Sequence, residues 1–292
     1  MQICMVGVGL MGHGIAKNIL NSGKHSLSFL HHAGNQPVNG LLAAGAVEAQ
    51  TLAEICPQAD IILLCVTGAP EVEAILFEKG GVFDQARAGQ IVLDCSTSLP
   101  ARSRAFAMKL ADRQVRYVDA AMTRTPKEAE QGKLNLILGG DADDIAQVMP
   151  LLRCFADTIT TAGPIGAGHG LKLIHNYVSL GYAAILAEAA AAARADDIDT
   201  DIFVHVLEAG GGKSVVLDRF RPYLEEGDIS GLRFSLANAA KDIDYFGQAN
   251  QTSDVAAAVK DLFSQSAADI GADESVLKLV DRLSARHTGT NR

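Results

Sequence analysis

The chain opens Met1-Gln2-Ile3-Cys4-Met5-Val6-Gly7-Val8-Gly9-Leu10-Met11-Gly12-His13-Gly14, an apolar run that ends in glycines at positions 7, 9 and 12. The run before Gly7 has the character of a strand, and Ile15, Ile19 and Leu20 repeat at helical spacing after the glycines. A strand, a glycine loop and a helix in that order form the phosphate turn of a dinucleotide-binding unit. Gly7 permits the tight turn, Gly9 removes a side chain that would block a pyrophosphate, and Gly12 lets the helix sit close to the strand. The N–H groups at the helix start, Leu10 and Met11 among them, then face the phosphates with the helix dipole behind them. A plain βα turn uses glycines too, so the flanking periodicity carries the reading.

Working outward, strands are expected at 27–30, 46–47, 61–66, 91–95, 117–120, 134–138 and 158–161, alternating with helices at 40–44, 72–77, 100–110 and 141–155. This alternation implies an α/β fold, a Rossmann-type doubly wound sheet over residues 1–162. Past Gly163 the pattern is helical only, with segments at 171–194, 202–208, 215–225, 232–250, 255–265 and 274–284. A second, all-helical domain over 163–292, joined by a long interdomain helix, is the expectation.

The 292 residues are 48% hydrophobic and carry a net charge of −9 without a basic block, which speaks against nucleic acid or an anionic membrane surface as partner. Cys4, Cys56, Cys65, Cys95 and Cys154 are odd in number, lie mostly in apolar runs and lack zinc-ligand spacing. Reduced, buried thiols in a cytoplasmic protein are expected, and no signal peptide is read at the N-terminus. Lys172, His175, Asn176 and Glu188 interrupt the apolar run 171–194, so it reads as a helix of a soluble protein rather than a membrane span. It is too apolar to be solvated all round, and a homodimer or homotetramer is expected.

Lys172, His175, Asn176 and Ser179 share the i, i+3, i+4, i+7 spacing of one helix face. Burying an ammonium alone is costly, so these groups either satisfy one another or line a ligand cavity. Gly163-Pro164-Ile165-Gly166-Ala167-Gly168 stands just before them, where two domains are expected to meet, and such junctions commonly bind small ligands.

Here the chain resembles the β-hydroxyacid dehydrogenases, the family of 3-hydroxyisobutyrate dehydrogenase, tartronate semialdehyde reductase and sulfolactaldehyde reductase. The resemblance runs through the glycine loop, Asp94-Cys95-Ser96-Thr97 with Pro100, Asp119 with Gly132, the run ending in Lys172 with Asn176, and Lys241-Asp242. It implies a catalytic lysine at Lys172, a substrate-orienting amide at Asn176, a substrate contact at Ser96, a cofactor contact at Thr97 and a cofactor-cleft residue at Lys241. Hydride transfer with a nicotinamide leaves an alkoxide-like oxygen whose proton a positioned lysine supplies or removes. A snorkelling surface lysine is the plain alternative.

Where the family commonly shows DxPVSGG, this chain reads Asp119-Ala120-Ala121-Met122-Thr123-Arg124-Thr125-Pro126. The sulfolactaldehyde reductase branch looks similar here, and a guanidinium fork suits a carboxylate or sulfonate. Thr123 and Arg124 are therefore expected to hold the acid group of a small anionic hydroxy acid or aldehyde acid, with His175 and Ser179 also on the substrate side. Val66 and Thr67, ending one strand, and His31 and His32, ending another, are expected on the cofactor side. With no acidic residue before Glu48, the two imidazoles favour NADP over NAD. The rival readings are an imine reductase, which is expected to carry another side chain at the lysine position, and a non-catalytic dinucleotide-binding module.

Overall fold

The computed structural model of the protein describes residues 1–251 and 253–287. Strands Gln2–Val6 (β1), Ser26–Leu30 (β2), Val47–Ala49 (β3), Ile61–Leu64 (β4), Ile91–Asp94 (β5), Arg116–Thr123 (β6), Leu134–Gly139 (β7) and Ala156–Gly163 (β8) form one sheet ordered β3-β2-β1-β4-β5-β6-β7-β8. Neighbours are parallel except β6 and β7, which pair antiparallel from Asp119↔Gly139 to Thr123↔Asn135. That pairing carries β6 past the expected 117–120, because hydrogen bonding to β7 outweighs the weak strand signal of Ala121-Met122.

Side chains alternate across β4. Ile61 and Leu63 pack with Met5, Ile15, Phe29 and Leu93 on one face of the sheet. Ile62 and Leu64 pack with Val72, Val92, Phe106 and Tyr117 on the other. Coverage on both faces explains the unbroken apolar run, each such side chain adding about 1.5–3 kcal/mol on burial. The strand ends two residues earlier than expected, since Cys65 and Val66 already belong to the loop beyond β4.

The chain divides into two compact units, Met1–Lys172 and Leu173–Arg292, with the division inside the long helix Ala167–Ala195. The second unit is helical, with Leu186, Phe220, Leu236, Phe263 and Val276 in its core. Its helix expected from Leu232 begins only at Leu236, capped by the Ser235 hydroxyl, because Ile229–Gly231 forms a separate 3-10 turn. The segment expected at 274–284 resolves into a 3-10 turn, Val276–Lys278, and the helix Leu279–His287.

Three short helices carried too little periodicity to be anticipated: Leu52–Ile55, Val82–Gln85 and Pro126–Glu130. Two of them begin with reciprocal capping boxes, Thr51 with Glu54 and Thr125 with Glu128, a signal present in the sequence. The five cysteines are free, but Cys65 and Cys154 are half-buried rather than fully enclosed. Among the described residues, Ala167–Ala195 is the helix long and apolar enough by composition to cross a membrane, with 44% of its most apolar window buried in the protein.

Candidate functional site

Register places the site in the first unit. Val6 pairs with Leu64, Leu64 with Asp94, and Asp94 with Asp119, so β1, β4, β5 and β6 reach the same level together. The loops 7–12, 65–68 and 95–99 therefore leave the carboxyl edge of the sheet side by side, where open α/β sheets bind ligands.

Gly7 has φ +99° and stands so close to β4 that a Cβ on it would lie 2.2 Å from the Cys65 carbonyl oxygen. A Cβ on Gly12 would lie 2.0 Å from the Gly7 oxygen, which is why the helix Leu10–Asn21 can sit against the loop. Gly9 is different: its Cβ would meet nothing nearer than 4.0 Å, leaving open space over the loop. The helix has Gly9 as N-cap, no side-chain cap bond and no acidic residue in its first turn. Its leading N–H groups, at Leu10, Met11 and Gly12, are thus directed at an external acceptor, and the cradle fits a dinucleotide pyrophosphate. Asn35, which sequence reasoning passed over, ties the next loop to this one. Its Oδ1 accepts from Val8 N at 3.2 Å and its Nδ2 donates to Leu30 O at 3.1 Å.

At the tip of β2, His31 and His32 are exposed. The expectation that no carboxylate stands there fails: Glu48 Oε1 lies 2.8 Å from His31 Nδ1. Parallel pairing of Phe29 with Glu48 delivers that acid from β3, which spacing along a single strand does not reveal. The ground for favouring NADP over NAD is thereby removed. His32 Nδ1 accepts from Gly34 N at 3.0 Å, so its lone pair is already turned into its own loop.

Behind the loops lies a buried polar layer. Tyr117 donates to Asp94 Oδ2 at 2.6 Å, and Asp94 Oδ1 accepts from Ser96 N at 2.9 Å. Ser96 is 2% exposed and its hydroxyl accepts from Val66 N at 3.1 Å, which joins two loops and leaves its own O–H as a donor. Asp119 accepts from Gly166 N at 2.6 Å and His169 N at 2.8 Å, clamping the start of the long helix. Burial raises the Asp119 carboxyl above its ordinary range, while His169 and the two N–H bonds pull it back. Burial likewise pushes the Cys65 thiol up to about 12, with Asp94 adding to the effect, so it is no nucleophile. Val66 and Thr97 are half-buried and Thr67 is exposed beside this layer.

Thr123, 9% exposed, closes β6. Arg124 follows at φ +79°, in the left-handed region where the family pattern has glycine. Its Nη1 donates to Lys133 O at 2.5 Å and to Asp157 Oδ2 at 3.3 Å. The guanidinium expected to grip a substrate acid is therefore engaged by a carboxylate of its own unit.

On the long helix the polar stripe does not face one environment. Lys172 and Ser179 are half-buried, His175 is exposed and Asn176 is buried. His175 Nδ1 lies 3.0 Å from Asn176 Oδ1, and Asn176 Nδ2 donates to Asp242 Oδ2 at 2.6 Å. The other Asp242 oxygen is 3.4 Å from Lys241 Nζ, which also stands 5.7 Å over the Tyr245 ring. Sequence reasoning named Lys241 and gave its neighbour no role. Yet Asp242, 2% exposed, is what fixes the Asn176 amide.

Residues 2–163 match a family profile described as the NAD binding domain of 6-phosphogluconate dehydrogenase. Residues 166–283 match one described as the NAD-binding domain of NADP-dependent 3-hydroxyisobutyrate dehydrogenase. The chain is 28% identical over 271 residues to the 3-sulfolactaldehyde reductase of Escherichia coli strain K12, covering 91% of this chain and 90% of that one. It is 28% identical over 222 residues to the NAD-dependent L-serine dehydrogenase of Pseudomonas aeruginosa, covering 76% and 74%. The solved structure of 3-hydroxyisobutyrate dehydrogenase from Mycobacterium tuberculosis with L-serine has the same fold, with a TM-score of 0.85, 21% identity, and coverage of 97% of this chain and 98% of that one.

Proposed function

For this chain, which belongs to the β-hydroxyacid dehydrogenase family and is an NAD(P)-dependent dehydrogenase, we propose interconversion of a small anionic hydroxy acid with its semialdehyde or keto acid. One observation supports the reading above others. Lys172 stands one helical turn before an Asn176 whose amide is pinned at 2.6 Å to Asp242. An amine and a fixed amide at i, i+4 provide a proton carrier and an orienting group for one substrate oxygen.

Gly7, Gly9 and Gly12 with the N–H groups of Leu10 and Met11 hold the pyrophosphate, and Val66, Thr67 and Thr97 are the further cofactor contacts in the same unit. NAD(P), when bound, supplies or accepts the hydride. In reduction, Lys172 as ammonium gives its proton to the carbonyl oxygen as that oxygen gains charge; in oxidation, the neutral amine takes the hydroxyl proton. Asn176 donates toward the same oxygen with its amide turned by Asp242, and Ser179 and His175 border the substrate. Arg124 holds the acid group after exchanging Asp157 for it, with Thr123 beside it. L-Serine and 3-sulfolactaldehyde, named for two relatives, each carry an anionic group on a short chain, which agrees with this assignment.

The test is a panel of small hydroxy acids and aldehyde acids assayed with NAD and NADP in both redox states, alongside Lys172→Ala. Turnover that falls by about 10²–10⁴-fold in the variant supports the lysine role. No turnover of any panel member by the wild-type protein would leave a silent coenzyme-binding module.

The chain is further read as a cytoplasmic homodimer or homotetramer. Leu171, Ile174, Val178 and Ile185 form an exposed apolar strip on the long helix, at 41%, 45%, 64% and 65% exposure, of the kind a second copy covers. Sedimentation at micromolar concentration checks this, and a monomer there refutes it.

A further inference from the structure

His169 is wholly buried, and three elements converge on it. Its Nε2 lies 3.1 Å from the Ser96 carbonyl oxygen, its Nδ1 lies 2.7 Å from Ser103 Oγ, and its backbone N–H donates to Asp119 at 2.8 Å. A carbonyl oxygen only accepts, so Nε2 carries the proton turned toward Ser96, while Nδ1 faces the Ser103 hydroxyl, which also donates to Leu99 O at 3.2 Å.

We propose that His169 is a positioning residue for proton transfer: its imidazole fastens the helix turn that carries Lys172 to the loop that carries Ser96 and Thr97. The inference rests on Lys172 being the proton carrier. Asp119 already satisfies the backbone of this turn, taking Gly166 N and His169 N on its two oxygens, so the ring is not needed to cap the helix. What the ring adds is a bond to Ser96. The Ser96 N–H is in turn fixed by Asp94 at 2.9 Å and its hydroxyl by Val66 N at 3.1 Å. The turn is thus registered against the ends of β4 and β5 and the middle of β6 together. Lys172 lies three residues on, with about 5–6 Å between Cβ atoms at that spacing, so a displaced His169 displaces the amine.

Apolar His169→Leu keeps bulk but loses both ring bonds. Gln in its place carries a terminal amide N–H that reaches the Ser96 oxygen. The two variants, Lys172→Ala and the double variant His169→Leu/Lys172→Ala are compared with the panel member that wild type turns over fastest. Three quantities are read: kcat, KM, and coenzyme Kd by NADPH or NADH fluorescence. His169→Leu is expected to lose about 10–100-fold in kcat, the scale of an ångström-sized misplacement, with KM and coenzyme Kd within about twofold. His169→Gln recovers most of the loss, and His169→Leu costs nothing more once Lys172 is alanine.

The proposal is overturned by wild-type kcat in His169→Leu, by an equal loss in both backgrounds, or by His169→Gln as slow as His169→Leu. If His169→Leu does not fold, Ser103→Ala withdraws the hydroxyl that faces Nδ1 together with its bond to Leu99 O; a smaller kcat loss with unchanged coenzyme Kd that vanishes in the Lys172→Ala background supports the proposal, and no loss, or an equal loss in both backgrounds, overturns it. Lys172→Ala at wild-type speed, or no turnover of any panel member, brings down the functional reading and this inference with it. A slow Lys172→Ala beside a normal His169→Leu brings down this inference alone.

Discussion

Replacing Gly168 by alanine adds one methyl group where the first turn of the long helix meets β6 and β7. The new carbon would lie 2.4 Å from the Ile137 carbonyl oxygen, 2.7 Å from Asp119 Oδ2 and 2.9 Å from Gly139 N. Backbone atoms and a clamped carboxylate cannot swing aside as a flexible side chain does. Ordinary carbon contacts begin at about 3.5 Å, so the first turn must retreat by about 1 Å. Such overpacking costs about 1–3 kcal/mol, against which alanine returns up to about 1 kcal/mol of helix propensity. The retreating turn carries His169 and Lys172, and a misplacement of about 1 Å at a reacting group lowers turnover by about 10²-fold.

Gly181→Ala on the same helix is the control, because a Cβ there meets nothing within 4 Å in its own chain. It should stabilise by about 0.5–1 kcal/mol and leave kcat unchanged. Thermal unfolding and steady-state rates on the two variants separate the steric effect from propensity. Wild-type kcat and melting temperature in Gly168→Ala would refute the claim that this turn is seated by close backbone approach.

Glu130 accepts from His13 at 2.8 Å and from Lys17 at 2.9 Å; burial alone would raise its carboxyl, but those partners hold it below the ordinary range. A depressed folded pKa contributes stability above the unfolded value that disappears as pH falls through the folded one. Melting curves of wild type and Glu130→Gln should therefore differ by about 0.5–1 kcal/mol near neutrality and converge in acid; a gap that widens in acid contradicts this. Arg124 at φ +79° pays for a left-handed backbone, so Arg124→Gly should be about 1 kcal/mol more stable than Arg124→Ala, measured by denaturant unfolding, and equal stabilities would remove the strain argument. Asn35→Ala removes both hydrogen bonds that tether the loop behind the glycines and should weaken coenzyme binding by about 5–10-fold in fluorescence titration, about 1 kcal/mol or roughly half of what two bonds contribute; unchanged affinity would show that the tether is dispensable.

The amino-acid sequence alone determined the glycine cradle, the alternation that builds the sheet, the change to helices after Gly163 and the Lys172/Asn176 pair. Each of these is local: glycine spacing, strand and helix periodicity and i, i+4 placement are properties of contiguous residues. Tertiary structure decided what those residues meet. Glu48 reaches His31 because β3 pairs with β2, Arg124 turns to Asp157 because β6 pairs with β7 and β7 with β8, and Asp242 fixes Asn176 across helices of the second unit. His169 is the clearest case, an imidazole whose partners at positions 96, 103 and 119 come together only through sheet register and helix packing. Such contacts join residues far apart in the chain, and no periodicity along one segment encodes them.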